Sequence, residues 1–381
     1  MPMITDTAEL RAFCGRMAGE RFVTVDTEFM RDRTFWAKLC LVQVAGTSEA
    51  RAVDPLAPGI DLAPLLELMA DRNVLKVMHA ARQDLEIFWR LMQGDMPRPV
   101  FDTQIAAMVC GFGEEVAYDT LVAKVAKSHL DKSSRFTDWS RRPLSEAQIT
   151  YALGDVTHLR VIYERLSERI EREGRYGWVE EEMAGMLEPS LYETPPDEAW
   201  KRLKLRTRDP RFVAIVQELA AWREREAQRR DLPRSRVLRD DLLLEVAANK
   251  PQSLDALRQL DRVNVDKGSA QAIVDAIQRA MAIPRADLPR LPEPPQIQRG
   301  IGPMVDLLRV LLKYRCEEAE VAQRLVAGTA DLEAIAQDDA ADVPALHGWR
   351  REVFGNDALA LKAGRLALGI KDQKPVLVPL G

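Results

Sequence analysis

The 381-residue sequence has only four cysteines, Cys14, Cys40, Cys110 and Cys316, and they are far apart. That spacing offers neither the close pairs of a zinc ribbon nor a disulfide framework, and it predicts a reduced, cytoplasmic setting with the cysteines in the core. Long apolar runs are also missing: stretches such as Val213–Val216 and Leu242–Leu244 fall far short of the roughly 18 residues a membrane span needs. Met1–Leu10 has no basic start followed by an apolar core, so no secretory leader is expected. There is no G-x-x-x-x-G-K-[ST] phosphate loop and no G-x-G-x-x-G after a strand, which argues against an ATP motor and a dinucleotide-dependent enzyme. What remains is a globular composition, 46% hydrophobic and 30% charged, in a chain long enough for more than one domain.

The first 110 residues alternate strand and helix signals, and the rest reads as helical. An α/β domain followed by all-α modules is therefore expected. Arg21–Phe29 alternates in period two, and Ala37–Ala45 and Ala50–Val53 continue as two more strands of an antiparallel run. Leu75–His79 is a strand running into the helix Ala81–Met92, and Pro99–Asp102 is a short strand before a helix from Thr103. Ser145 and Gln148 form a capping-box pattern, and Ile149, Ala152, Val156, Leu159 and Tyr163 carry an apolar stripe through a helix from Ser145 to about Arg172. Val179–Glu198 holds seven acidic residues, no basic ones and three prolines, and reads as a connector. The expected division is a first domain over 1–178, an acidic linker over 179–199, a helical domain over 200–283, a Pro-rich linker over 284–298 and a last helical domain over 299–381.

The formal net charge is −5, yet Trp200–Arg239 carries thirteen Lys and Arg against five Asp and Glu, a local charge of +8. Such a stretch is either a nucleic-acid surface or a solvated helix laced with Glu–Arg pairs.

Asp26 and Glu28 stand two apart in the best strand, so both carboxylates face one side while Thr27 faces the other. Paired acids repel unless a cation or water lies between them, and oxygen-only ligands suit Mg²⁺ or Mn²⁺ rather than zinc. Asp84 falls in the first turn of the helix after Leu75–His79, either at a ligand-binding sheet end or as an acid complementing the helix dipole. Tyr151 and Asp155, four apart, share a helix face; the alternative is a half-buried tyrosine beside a solvated acid. Together, four carboxylates and a tyrosine on three neighbouring elements can converge on one metal pocket.

At these positions the sequence resembles a known family. Asp26-Thr27-Glu28, His79-Ala80-Ala81-Arg82-Gln83-Asp84 and Tyr151-Ala152-Leu153-Gly154-Asp155 resemble the three motifs of the DEDD superfamily of exonucleases, in the subgroup whose third motif carries a tyrosine. Phe29-Met30-Arg31, Leu39-Cys40-Leu41-Val42-Gln43, Phe101-Asp102-Thr103-Gln104 and Trp139 with Arg142-Pro143-Leu144 resemble the bacterial ribonuclease D family. The match covers residues 4 to 172. Leu232-Pro233-Arg234-Ser235-Arg236, Asp240-Asp241 and Lys250-Pro251 resemble the HRDC domain shared with RecQ-type helicases. Leu307-Leu308 and the segment Gly348–Phe354 resemble a second, more degenerate copy.

The resemblance implies an RNase H-like mixed sheet and a 3′-5′ exoribonuclease with two divalent cations, Mg²⁺ or Mn²⁺, releasing nucleoside 5′-monophosphates. It implies that Asp26 bridges the ions, Glu28 and Asp155 complete one site, Asp84 holds the other, and Tyr151 orients the attacking water. Phenols titrate near about 10, so positioning comes before proton transfer in that role. Phe29, Met30, His79, Asp102 and Arg142 are candidates to contact the substrate, with core packing, helix capping and loop anchoring as the alternatives. Arg229, Arg230, Arg234 and Arg236 are candidates to hold the body of the RNA. The implied substrates are transfer RNA precursors and other small stable RNAs, and a monomer is expected. A DNA-directed exonuclease and a non-catalytic RNA-binding scaffold compete with this reading. A chain cut near Val179 is expected to cleave still, with weaker substrate binding.

Overall fold

The computed structural model describes residues 3–130, 134, 137–260, 262–263, 265–291 and 300–380. Residues 292–298 of the expected Pro-rich linker, the start of the last expected domain at 299 and the final residue lie outside the described residues.

Six strands, β1 (Met3–Ile4), β2 (Phe22–Met30), β3 (Lys38–Ala45), β4 (Ala50–Val53), β5 (Leu75–Met78) and β6 (Val100–Asp102), form one sheet in the order β1-β4-β3-β2-β5-β6. β2, β3 and β4 pair antiparallel, as their short connections predict, while β5 and β6 add in parallel to β2. The two-residue β1, which extends the other edge, carries too little pattern to read from sequence. β2 is thus an inner strand between β3 and β5. Its Val23 and Val25 enter a core with the helices Thr7–Met17 and Arg82–Leu91, and its opposite face meets the helix Glu146–Arg172. That long helix starts where the sequence predicts: Ser145 caps it and Gln148 closes the capping box.

The acidic stretch after Val179 departs from the connector expected. Tyr176–Met186 is a helix, with Val179 and Met183, four apart, buried in the main core. Its acids serve as surface and as ion-pair partners: Glu181 and Glu182 both accept from Arg350, far along the chain. A single turn of 3₁₀ helix at Pro189–Leu191 and a seven-residue one at Pro196–Arg202 then lead into the helical region.

The two helical regions are built differently. Helices from Pro210–Arg230 to Lys267–Ala282 enclose their own core around Leu219, Leu243, Ile273 and Ile277. The module after residue 300 instead shares one core with the nuclease side: Leu308, Leu312 and Phe354 belong with Val109, Leu166 and Ile170. Trp178 stacks on Trp349 across that junction, 4.3 Å between ring centroids. The chain closes with a two-stranded hairpin, β7 (Leu366–Lys371) and β8 (Lys374–Pro379), so the C-terminal part is not purely helical as expected.

Candidate active site

Thr24 on β2 donates from Oγ1 to the carbonyl of Val156 at 2.8 Å, which pins the strand to the long helix one residue past Asp155. Asp26 and Glu28 lie on that same face. Asp26, Glu28 and Asp155 consequently bring carboxylate oxygens within 4.8 Å of one another. Burial pushes the Asp26 carboxyl well above its ordinary range, and the Asp155 charge adds to the effect. Just beyond Glu28 the register slips, Glu28 facing Leu41 and Phe29 facing Leu39, a bulge of the kind that re-aims side chains beside functional sites.

Thr27 points to the opposite face, as period two requires, and donates from its hydroxyl to Asp84 there. Asp84 is buried, 6% exposed, in the first turn of the helix Arg82–Leu91. Its pKa is also well above the ordinary carboxyl range, through burial first and then the charge of Asp26. Asp84 therefore stands behind the three-carboxylate cluster, close enough to feel Asp26 but not part of the cluster.

The cluster opens into a cavity of about 470 Å³, within the size range of ligand sites, whose lining includes Asp26, His79, Gln104, Tyr118, Tyr151 and Asp155. Tyr151 lies one helical turn before Asp155, so the shared face expected from the spacing is the face turned to the cavity. His79 lines the cavity too, with Nδ1 3.0 Å from Thr103 Oγ1 and a pKa lowered by burial. Tyr118 and Gln104, which no short-range spacing marks as site residues, line the cavity as well. Tyr118 donates to the carbonyl of Asp155 at 2.5 Å, and its ring sits 5.3 Å from that of His79. Burial raises its pKa, which keeps it a neutral donor. No spacing rule flags it, because its partner lies on a helix 37 residues away.

Several of the candidate contact residues make internal contacts. Asp102 accepts from the N–H groups of Ala80, Ala81, Gln104 and Ile105, which caps the helix Thr103–Val109 and fixes the turn that presents His79. Arg142 is bidentate to Asp54, both bonds at 2.7 Å, and donates to the carbonyls of Cys40, Trp139 and Arg141. It anchors the loop, and its donors are spent there. Past the bulge, Met30 packs with the Cys40, Leu41 and Trp139 cluster, and neither Met30 nor Phe29 lines the cavity. In the basic stretch, Arg229 and Arg230 pair with Glu226, and Arg234 is bidentate to the fully buried Glu224 while lying over the Phe35 ring. Arg234 thus fastens the helical domain to the loop after β2. Arg236 is exposed and forms no ion pair with a described residue.

Residues 1–171 match the model of a 3′-5′ exonuclease family and residues 213–272 that of the HRDC domain. The mixed sheet, its acidic cluster and the helical region that follows define a 3′-5′ exonuclease joined to an HRDC domain. The chain is 49% identical over 380 residues to ribonuclease D of Gluconacetobacter diazotrophicus, covering 99% of this chain and 96% of that protein. It is 52% identical to ribonuclease D of a Jannaschia species, with 98% of each covered. The crystal structure of Escherichia coli RNase D, described as an exoribonuclease involved in structured RNA processing, superposes with a TM-score of 0.80 at 28% identity, covering 95% of this chain and 98% of that one. The chain belongs to the ribonuclease D family and is a 3′-5′ exoribonuclease. This family implies use of a divalent metal ion. Among the described residues, no helix is long and apolar enough to cross a membrane.

Proposed function

We propose that the chain removes nucleotides one at a time from the 3′ end of RNA, as nucleoside 5′-monophosphates, with two divalent cations. The observation that carries this reading is the convergence of Asp26, Glu28 and Asp155 within 4.8 Å, with Asp26 and Asp155 lining the cavity. Three buried or half-buried like charges, with no histidine or cysteine among them, fit a hard, oxygen-loving cation. Asp26, Glu28 and Asp155 would hold one ion and Asp84, beside Asp26, would serve the second. Such ions, when bound, activate water and neutralise charge on the leaving oxygen. Tyr151 orients the attacking water from the cavity wall, and Tyr118 holds the Asp155 backbone in place. His79, kept neutral by burial, packs against the terminal nucleotide.

The substrates are structured RNAs with a single-stranded 3′ tail, transfer RNA precursors among them. The exposed basic side chains of this stretch, Lys204, Arg206, Arg229 and Arg236 among them, would be available to an RNA body. The module after residue 300 is a second, degenerate HRDC-like domain. Its order of a long helix (Gly302–Glu318), a single turn (Gln323–Val326) and a nine-residue helix (Thr329–Gln337) parallels Pro210–Arg230, Arg234–Val237 and Asp240–Asn249.

The test is a gel time course on a 5′-labelled RNA with a single-stranded 3′ tail, in Mg²⁺ or Mn²⁺, in chelator, and with Asp26→Asn. A one-nucleotide ladder that needs both the metal and Asp26 supports the reading. Binding without shortening would leave a scaffold, and equal shortening of a matched DNA would remove the preference for RNA.

A further inference from the structure

Part of the cavity wall is supplied by the end of the loop 110–117, which leads from the helix Thr103–Val109 to Tyr118. Glu115 and Ala117 of this loop face the cavity beside Tyr118. Three of its residues, Gly111, Gly113 and Glu115, have positive φ, and Glu115, at +45°, carries a side chain that this backbone region disfavours. A loop with this conformation needs support from outside itself.

The support comes from the C-terminal module. Glu115 is ion-paired with Arg324 of the turn Gln323–Val326. The N–H of Ala322 donates to the carbonyl of Met108 at 2.9 Å. Gly111 lies so close to the same module that a Cβ there would sit 2.7 Å from the carbonyl oxygen of Glu320. Arg175, only 15% exposed, donates to the carbonyls of Val109, Ala319 and Glu320 and so ties both ends of the contact to one guanidinium. The loop that ends in the cavity wall is therefore docked on a module that supplies no carboxylate to the cluster.

We propose that Arg324, acting through Glu115, is a positioning residue for the cavity wall, so that docking of the C-terminal module sets how the 3′-terminal nucleotide is held. This rests on the cavity being the catalytic site. The consequence lies in substrate binding rather than in the chemical step, because Asp26, Glu28 and Asp155 are carried by β2 and the long helix, and Tyr118, which bonds the Asp155 carbonyl, sits on the helix that follows the loop.

The test is steady-state kinetics of the full chain on an oligoribonucleotide with a single-stranded 3′ tail. Arg324→Glu places two acids together and raises KM about tenfold, with kcat within about twofold of the parent. Adding Glu115→Arg to that variant restores KM to within about twofold of the parent. A KM unchanged in Arg324→Glu overturns the proposal, and so does failure of the swapped pair to rescue, which would place Arg324 on the RNA itself. Thermal unfolding of each variant separates these outcomes from loss of fold, and a swapped pair that folds but is not rescued counts against the proposal. Asp26→Asn runs beside them: persistence of activity in that variant would remove the cavity reading itself, whereas its loss together with uncoupled Arg324 and Glu115 would remove only the positioning role.

Discussion

The HRDC domain and the C-terminal module hang on the same nuclease, but one encloses its own core and the other borrows a core. Leu219, Leu243 and Ile277 close on one another within the HRDC helices, whose apolar contact with the nuclease is the small Phe35, Ala227 and Val237 cluster. Leu308, Leu312 and Phe354 have no such enclosure and complete the packing of Val109, Leu166 and Ile170. A module with a private core can loosen without unfolding its neighbour, whereas one that shares a core cannot. For the same reason a chain cut near Val179 would lose part of this shared core, and a fall in its stability is expected beside the weaker substrate binding.

The largest effect that tests this difference is at Phe354. Phe354→Ala empties a fully buried site in the shared core, at a cost of about 3–5 kcal/mol, and urea unfolding followed by fluorescence and by exonuclease activity should show both signals moving together. Leu243→Ala, also fully buried, costs about 2–5 kcal/mol, but in the private core. Its expected outcome is two separated unfolding transitions, with activity on a short single-stranded RNA tracking the later one. A single common transition in both variants would erase the distinction. Arg234→Ala leaves the buried Glu224 without its bidentate partner, at about 1–3 kcal/mol, and should loosen the HRDC domain from the loop after β2. Hydrogen exchange over Arg31–Ala37 measures that loosening.

The smallest effect concerns the charges of the site. The folded pKa values of Asp26 and Asp84 are raised, chiefly by burial, so their contribution to stability is full below the unfolded carboxyl range and is lost as pH rises through the folded values. In chelator, Tm should therefore fall on going from mildly acidic to neutral pH. Asp26→Asn should flatten that fall while abolishing activity. Equal pH dependence of Tm in parent and variant would show that the cluster carries no such strain.

Much of the site was legible because its geometry is local. Period two along β2 aligns Asp26 with Glu28, and one helical turn aligns Tyr151 with Asp155, so two short spacings name four of the five principal residues. The capping box at Ser145 is equally local. Tyr118, Gln104 and the loop 110–117 owe their places to contacts across the fold, which no short window records. Charge is ambiguous for a related reason: the arginines of Trp200–Arg239 give a strong basic signal, but the partners of Arg234, Glu224 and Phe35, appear only on folding. The helix Tyr176–Met186 was hidden by its acids and the prolines beyond it, although Val179 and Met183 at a spacing of four were its trace.

The central claim is that the Asp26, Glu28 and Asp155 cluster is a metal site, and calorimetric titration of the full chain with Mn²⁺ at neutral pH tests it most directly. Saturable binding that is lost in Asp26→Asn is the result expected. The same binding isotherm in parent and Asp26→Asn would contradict it.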